Sequence, residues 1–386
     1  MSESRYDLLI SGAGPAGLST AIFAARAGLS VLVLEKEKTT GVFPRGETLR
    51  PDPIVDELLG PSFMDTISLH RTAKRRYWSP GARASFEVER EVESHLFEWR
   101  SLTEGLREAA EAAGAELRFE SPVAAPVLEE GRCVGLILAD GARVEGETMV
   151  AADGHRSRLA TGVDRGRLDC PIAKRICTGL TTDYEGMEFF FVSAGAIEPE
   201  MPAALAFIFP RGGDAAEVGV MLISAALSPA ERARPPGGSR MLAFLDALFE
   251  RLPVFSERVA SASWSFQGAT LIPMGALHER GMEIPGLALV GDTIGMVEAT
   301  GGCGIVPSMK NARFLVGHLA DRPPGRWSPE AMERYNAAFA QSRIHRSLEK
   351  KQRVMTPLMR LGFSRPHGEA GYAKVWGPLG WLYGKV

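Results

Sequence analysis

Six residues near the start of the chain have the types and spacing to hold a phosphate: Gly12-Ala13-Gly14-Pro15-Ala16-Gly17. Glycine at 12 permits a tight turn, at 14 it lets backbone N–H groups approach a pyrophosphate, and at 17 it lets a helix lie close to a strand. Such a turn needs a strand before it and a helix after it. Tyr6–Ser11 (YDLLIS) reads as the strand, apolar through Leu8, Leu9 and Ile10, and LSTAIFAARAG follows with apolar and small residues at helical spacing. Pro15 and Ala16 open that helix, and its unpaired N–H groups would face the phosphates. Gly28 breaks the helix, and Val31–Leu34 makes a second strand that runs into Glu35 and Lys36. Glu35, 18 residues beyond Gly17, stands where an acid can accept both hydroxyls of a ribose. A glycine turn alone is weak, but strand, turn, helix, strand and acid in that order read as a dinucleotide site. The acid argues against a 2′-phosphate in this pocket. These residues leave NAD and FAD both open.

Composition narrows the class. The 386 residues carry 44 Lys+Arg against 47 Asp+Glu, so no basic excess marks a nucleic-acid binder. Four cysteines (Cys133, Cys170, Cys177 and Cys303) are too few and too scattered for a disulfide scaffold, and none has CxxC metal spacing. The N-terminal MSESRYDLLIS has no basic region followed by a long apolar run, and no apolar run is long enough to span a bilayer, so a cytoplasmic location is expected. There is no GxSxG elbow and no HExxH, and the seven histidines form no ligand-spaced pair, which disfavours hydrolases and metalloenzymes.

Two later segments bear on the nucleotide. MVAADGHRSRLA has a short apolar strand, then Asp153-Gly154, Ser157 and Arg158. IPGLALVGDTIGMVEATGGCGIVPSMKNARFL has a strand ending in Gly291-Asp292, a glycine-rich turn (Gly301, Gly302, Gly304), and a helix near 307–315. With these the chain resembles the FAD-dependent oxidoreductases of the p-hydroxybenzoate hydroxylase and geranylgeranyl reductase superfamily. It departs from the DGxxSxxR pattern in that Arg158 comes too early. The resemblance implies FAD as cofactor, with Asp153 near it, Asp292 on the ribityl chain, and Gly301, Gly302, Gly304 and Ile305 near the flavin pyrimidine. It also implies an arginine near the FAD phosphates just before the helix of LFEWRSLTEGLREAAEAAGAELRF, which corresponds to Arg100. Arg45 and Glu47, in the FPRGETLRP turn, are further candidates to approach cofactor or substrate.

The expected fold is α/β. A discontinuous Rossmann-type FAD-binding domain (1–65, 99–160 and 284–325) alternates with a mixed β-sheet substrate domain (66–98 and 161–283). The strand-like runs CTGLTTDY, MEFFFVSAGAI, ALAFIFP, EVGVMLISAAL and ASWSFQGATLI fill the second domain, with one helix expected over 239–252.

Three activities compete within the superfamily. The hydroxylase-type His and Pro after the GD are missing, and so is the WxWxIP of flavin halogenases. Residues 202–210, PAALAFIFP, are similar to the PxxYxWxFP of geranylgeranyl reductases, with Leu205 and Phe207 standing for Tyr and Trp and Phe209 kept. Leu205, Phe207 and Phe209 would form one apolar face of a strand, either a substrate wall or plain core. The branch nearest this pattern transfers a hydride from reduced FAD to a carbon–carbon double bond of an apolar, isoprenoid or polycyclic substrate. Cys303 is then a candidate proton donor or shield, or simply an inert side chain. The alternative is a monooxygenase that hydroxylates or epoxidises through a flavin C4a-hydroperoxide, and a lesser one is a flavin electron carrier. No separate nicotinamide-binding fold is visible, so NAD(P)H would visit transiently or another reductant would serve.

Residues 326–386 hold eleven Lys/Arg, four Glu and three of the six tryptophans. A helix is expected from Ser328 through about Arg353, then a short one over 356–361. This region reads as a helical arm packed on the body, with peripheral contact to anionic lipid as the competing role.

Overall fold

The computed structural model describes residues 6–79, 82–160, 169–182, 184–223, 227–274, 277–299, 301–320 and 327–363. The chain opens with β1 (Tyr6–Ser11), α1 (Pro15–Arg26), β2 (Val31–Leu34), β3 (Gly46–Leu49), α2 (Pro53–Leu59) and α3 (Phe63–Ile67). A long hairpin of β4 (Ser68–Trp78) and β5 (Ser85–Glu98) leads into α4 (Trp99–Ala112), followed by β6 (Glu116–Arg118), β7 (Val123–Glu129), β8 (Arg132–Leu138) and β9 (Arg143–Ala151). Then come β10 (Asp169–Thr178), β11 (Met187–Val192), β12 (Ala204–Pro210), β13 (Ala216–Leu222), α5 (Pro229–Ala233), α6 (Gly238–Arg251), α7 (Pro253–Val259) and β14 (Ser263–Pro273). The chain returns through β15 (Met282–Ile284) and β16 (Leu287–Leu289) to α8 (Ile305–Ala320), α9 (Pro329–Gln341) and α10 (Arg343–Phe363).

These strands form two sheets. The first runs β15-β16-β9-β1-β2-β6, with β7 and β8 attached through β9. Its central pairs, from β16 to β6, are parallel. Leu8, Leu9 and Ile10 are buried because α1 covers one face of the sheet and β7 and β8 lie over the other. A strand covered on both faces reads as a continuous apolar run, which is what β1 and β2 show. The close approach of α1 to β1 explains Gly17: a Cβ there would stand 1.9 Å from the Gly12 carbonyl oxygen.

The second sheet runs β14-β10-β13-β12-β11-β4-β5-β3. It is mixed, since β11 pairs with β4 in parallel and the remaining pairs are antiparallel. Ala206 and Ile208 of β12 and Val218 and Val220 of β13 face α6, where Met241, Phe244, Leu245 and Leu248 cover them. The alternate positions face the other way. The FPRGETLRP segment is not a plain turn: Gly46–Leu49 pairs with β5, so residues within 1–65 complete the substrate-side sheet.

The C-terminal helices also differ from the sequence expectation. One helix through about Arg353 is replaced by two that meet at Ser342, which is extended (φ −60°, ψ 147°) and caps α10 by accepting from His345 N over 3.2 Å. The break expected near 353–356 is absent, and α10 carries Pro357 within it. The amide of Asn336 on α9 exchanges two hydrogen bonds with the Met282 backbone, at 2.8 and 2.9 Å, and so extends the edge of the first sheet. Trp376, Trp381 and the basic residues beyond 363 lie outside the described residues.

Candidate active site

Strands β1, β9 and β16 are neighbours and parallel, so their C-terminal ends stand side by side, and a turn follows each. Ligands of open parallel sheets bind at such an edge. Gly12 has φ +103°, and a Cβ there would press on the Ala152 carbonyl oxygen at 2.6 Å, so the first turn lies directly on the second. Gly291 has φ +69°, and its Cβ would meet the Ala16 Cβ at 2.6 Å, so the third turn packs against the start of α1. Thr293 Oγ1 donates to the Gly154 carbonyl at 3.4 Å. Three segments far apart in sequence therefore make one surface.

Each residue singled out in the sequence has a defined place on or near it. Gly14 caps α1, ahead of Pro15 and Ala16, and a Cβ there would meet nothing within 4 Å. Its glycine is not required by the protein's own packing. Open space before a helix N-terminus is what an incoming phosphate needs. Glu35 is half-buried, and its carboxylate accepts from Ala13 N at 2.6 Å and Glu37 N at 3.0 Å. Lys36 is exposed and pairs loosely with Glu37. Arg100 lies within α4 rather than before it, is 56% exposed, and pairs with Glu104 at 2.9 Å. Asp153 accepts from Arg158 N at 3.1 Å through one oxygen, while its other oxygen is buried without a hydrogen-bond partner. Burial pushes its pKa up.

Asp292 begins the third turn, beside Gly304, and no donor from the described residues bonds its carboxylate. Burial raises its pKa to about 6, the nearby Glu47 acting in the same direction and the Arg45 guanidinium against it. Arg45 and Glu47 thus do converge on the third turn. Arg45 stacks its guanidinium 3.9 Å from the Trp99 ring centroid and pairs with Glu47 at 3.0 Å. Gly301 and Gly302 lie in the loop where Gly302 N bonds the Glu298 carbonyl and Glu298 N bonds the Cys303 carbonyl, and Gly304 and Ile305 start α8. Burial, with Glu298 and Glu47 nearby, raises the Cys303 thiol to about 11, so it is protonated at neutral pH.

Beyond this loop a cavity of about 1250 Å³ lies between the second sheet and helices α8 and α10. Cys303 and Gly301 line one side, and Tyr77, Phe189, Phe191, Leu205, Phe209 and Met221 of the second sheet line the other. Tyr77 stacks on Phe189 with ring centroids 5.0 Å apart. Phe207 shares this face but is not among the lining residues: it is buried, wedged against Gly219 and stacked on Phe209 at 4.5 Å. Tyr77, Phe189 and Phe191 were not singled out in the sequence. In MEFFFV the one polar residue, Glu188, is buried on the side away from the cavity and the rest are apolar on both sides, so the pattern does not mark the cavity side.

Residues 5–168 match the family model described as an FAD binding domain. The glycine turn, the acid and the second turn all fall inside that match. The chain is a flavin-dependent oxidoreductase. The FAD binding domain is the part that the family model covers, and the relatives of the whole chain include reductases of isoprenoid lipids. Among its relatives is a digeranylgeranylglycerophospholipid reductase of Haloferax volcanii, 27% identical over 340 residues, covering 82% of this chain and 76% of the relative. A menaquinone reductase of Mycobacterium tuberculosis is also 27% identical, over 365 residues, covering 88% and 83%. The flavoprotein has the fold of a geranylgeranyl bacteriochlorophyll reductase-like protein from Thermoplasma acidophilum, with a TM-score of 0.71, 20% identity and 96% of each chain covered. No helix among the described residues is long and apolar enough to cross a membrane.

Proposed function

We propose that this flavoprotein reduces a carbon–carbon double bond in an apolar, isoprenoid-type molecule held in the cavity over its second sheet. The observation that carries this reading is the cavity itself, with an aromatic and aliphatic floor on the second sheet and the glycine loop of Cys303 opposite. The named substrates of the two reductase relatives, a digeranylgeranyl lipid and menaquinone, are of matching character.

The residues fit FAD. Gly12, Gly14 and Gly17, with the α1 N-terminus at Pro15 and Ala16, would take the pyrophosphate, and Glu35 the adenosine ribose. Asp292, which finds no donor among the described residues, would accept from the ribityl hydroxyls. Asp153 with its unbonded oxygen, Arg45, Lys36 and Arg100 flank this path. Gly301, Gly304 and Ile305 would present backbone N–H groups toward the flavin ring, while Gly302, whose N–H is taken by the Glu298 carbonyl, would shape the loop. When bound, FAD supplies the hydride, and NAD(P)H or another reductant recharges it.

The chain's own part is positioning and exclusion. An isolated alkene is a poor hydride acceptor, so orientation of the bound molecule and exclusion of water from the reacting carbons must lower the barrier. Leu205 and Phe209 hold the apolar chain, and Phe207 backs Phe209. Cys303 holds its proton at neutral pH on the cavity wall and is the candidate to deliver it to the alkene carbon next to the one reduced. The reaction is expected in the cytoplasm.

The test is rapid mixing of the anaerobically reduced protein with aerated buffer, followed by absorbance. Slow, direct reoxidation, together with oxidation of the reduced protein by a prenyl lipid alkene under nitrogen, supports the reductase. An oxygen-dependent absorbance transient that precedes reoxidation overturns it in favour of the monooxygenase.

A further inference from the structure

Helix α10 carries a run of cations, and one of them is turned inward. Arg343, Arg346, Lys350 and Arg353 are exposed, whereas Lys351 is half-buried. Lys351 shares a helix face with Leu348, three residues before it, and Met355, four after it, and both of those are buried. A lysine among apolar neighbours is costly unless a carboxylate meets it. Lys351 meets Glu298, with Nζ 2.6 Å from Oε1, and both residues line the cavity.

Glu298 belongs to the glycine loop. Its backbone N–H donates to the Cys303 carbonyl at 3.0 Å and its carbonyl accepts from Gly302 N at 2.9 Å, so the carboxylate is carried by a loop closed on itself. Besides Asp292, two carboxylates bear on this loop, Glu298 and Glu47, and both push the Cys303 thiol up. Each is paired with a cation from elsewhere in the chain, Glu47 with Arg45 at 3.0 Å and Glu298 with Lys351. Lys310, also on the cavity wall, is taken by Asp52 at 2.6 Å. A flavin that takes up two electrons and one proton gains a negative charge on its ring, and charge near the ring tunes that step. An unpaired carboxylate on the loop would oppose the added charge. A neutral ion pair does so far less.

We propose that Lys351 is a positioning residue for the flavin: from α10 it holds Glu298 and cancels its charge, so that the glycine loop can face a reduced, negatively charged ring. This inference rests on reading Gly301, Gly304 and Ile305 as the loop that meets the flavin. It makes α10 part of the redox site as well as a wall of the cavity.

The test is the equilibrium ratio of reduced to oxidised flavin against a dye of known potential, in the FAD-loaded parent, K351M, E298Q and K351M/E298Q. K351M leaves Glu298 unpaired, and the ratio should fall about tenfold, the scale of one partly screened charge. E298Q leaves Lys351 unpaired and should hold the ratio or raise it, and the double variant should return to the parent's value. The ion pair is lost in both single variants, so a merely structural contact would shift both the same way. A lowered ratio in E298Q therefore overturns the proposal, and this arm carries the comparison if K351M does not load FAD. Iodoacetamide alkylation of Cys303 in the four apoproteins supplies a readout without flavin: K351M should slow it and E298Q speed it, because Glu298 raises the thiol. Alkylation that follows these charges while the flavin ratio does not overturns both the flavin's place at the loop and the role of Lys351. No response in either measurement overturns the role of Lys351 alone.

Discussion

The Glu35 carboxylate accepts a hydrogen bond from the backbone N–H of Ala13 over 2.6 Å. The acid at the end of β2 is therefore fastened to the middle of the glycine turn after β1. One oxygen holds Ala13 and the other holds Glu37 N at 3.0 Å, so the carboxylate is fixed before any ribose arrives. Replacing Glu35 by Ala should then do two things: loosen the turn and remove the ribose acceptor. We expect E35A to lose FAD on gel filtration, with affinity lowered about tenfold or more. Unchanged flavin content would remove Glu35 from the cofactor site.

Gly14 and Gly17 separate packing from binding. A Cβ at 17 collides with the Gly12 carbonyl, whereas a Cβ at 14 meets nothing. G17A should therefore destabilise the fold by about 3 kcal/mol or more, in the range of overpacked sites. G14A should melt as the parent does in the absence of FAD and yet bind FAD poorly. Thermal melts of the two apoproteins, read beside flavin content, check the pair. A G14A protein that retains FAD at the parent level would show that no phosphate approaches there.

The proposed place of Asp292 on the cofactor should make FAD binding depend on pH. Its folded-state pKa is raised to about 6, so between the ordinary carboxylate range and about pH 6 the folded apoprotein keeps a proton that the unfolded chain has released. Apoprotein stability consequently falls as pH rises through that window, by about 3 kcal/mol. D292N should flatten this slope. Ribityl hydroxyl donors favour the ionised carboxylate, so FAD affinity should rise with pH up to about 6 in the parent and not in D292N. Fluorescence titration of apoprotein with FAD at pH 5 and pH 7.5 measures it.

The Cys303 thiol, raised to about 11, should be slow to alkylate at neutral pH, because the thiolate is the nucleophile. Iodoacetamide labelling of Cys303, followed by mass spectrometry, should lag well behind that of a model thiol at pH 7.5. C303A should retain FAD. Turnover of C303A equal to the parent's would remove the proton-donor role and leave Cys303 as a wall residue.

Sequence alone carried the nucleotide half of this protein far. The run from β1 to Glu35 is local: its glycines, its helix start and its acid lie within about one strand–helix–strand unit, and a parallel strand buried on both faces announces itself as an unbroken apolar run. The strand content of 66–98 and 169–273 was also visible in composition and alternation. Tertiary structure decided the rest, for two physical reasons. A strand such as β11, apolar on both sides but for Glu188, and that one charge buried away from the cavity, hides which face meets the cavity, so Tyr77, Phe189 and Phe191 emerged only when β4, β11 and β12 were set side by side. Local signals also fail where long-range pairing supplies the energy. Gly46–Leu49 looks like a turn because its glycine and flanking prolines are turn residues, and it becomes a strand because β5 offers an edge to pair with. The same pairing brings Arg45 and Glu47 up to Asp292, nearly 250 residues later in the chain. Charges that look alike in KRRYW, Arg75 and Arg76, part company for the same reason: the sheet turns Arg76 toward Glu188 and Arg75 toward the cavity.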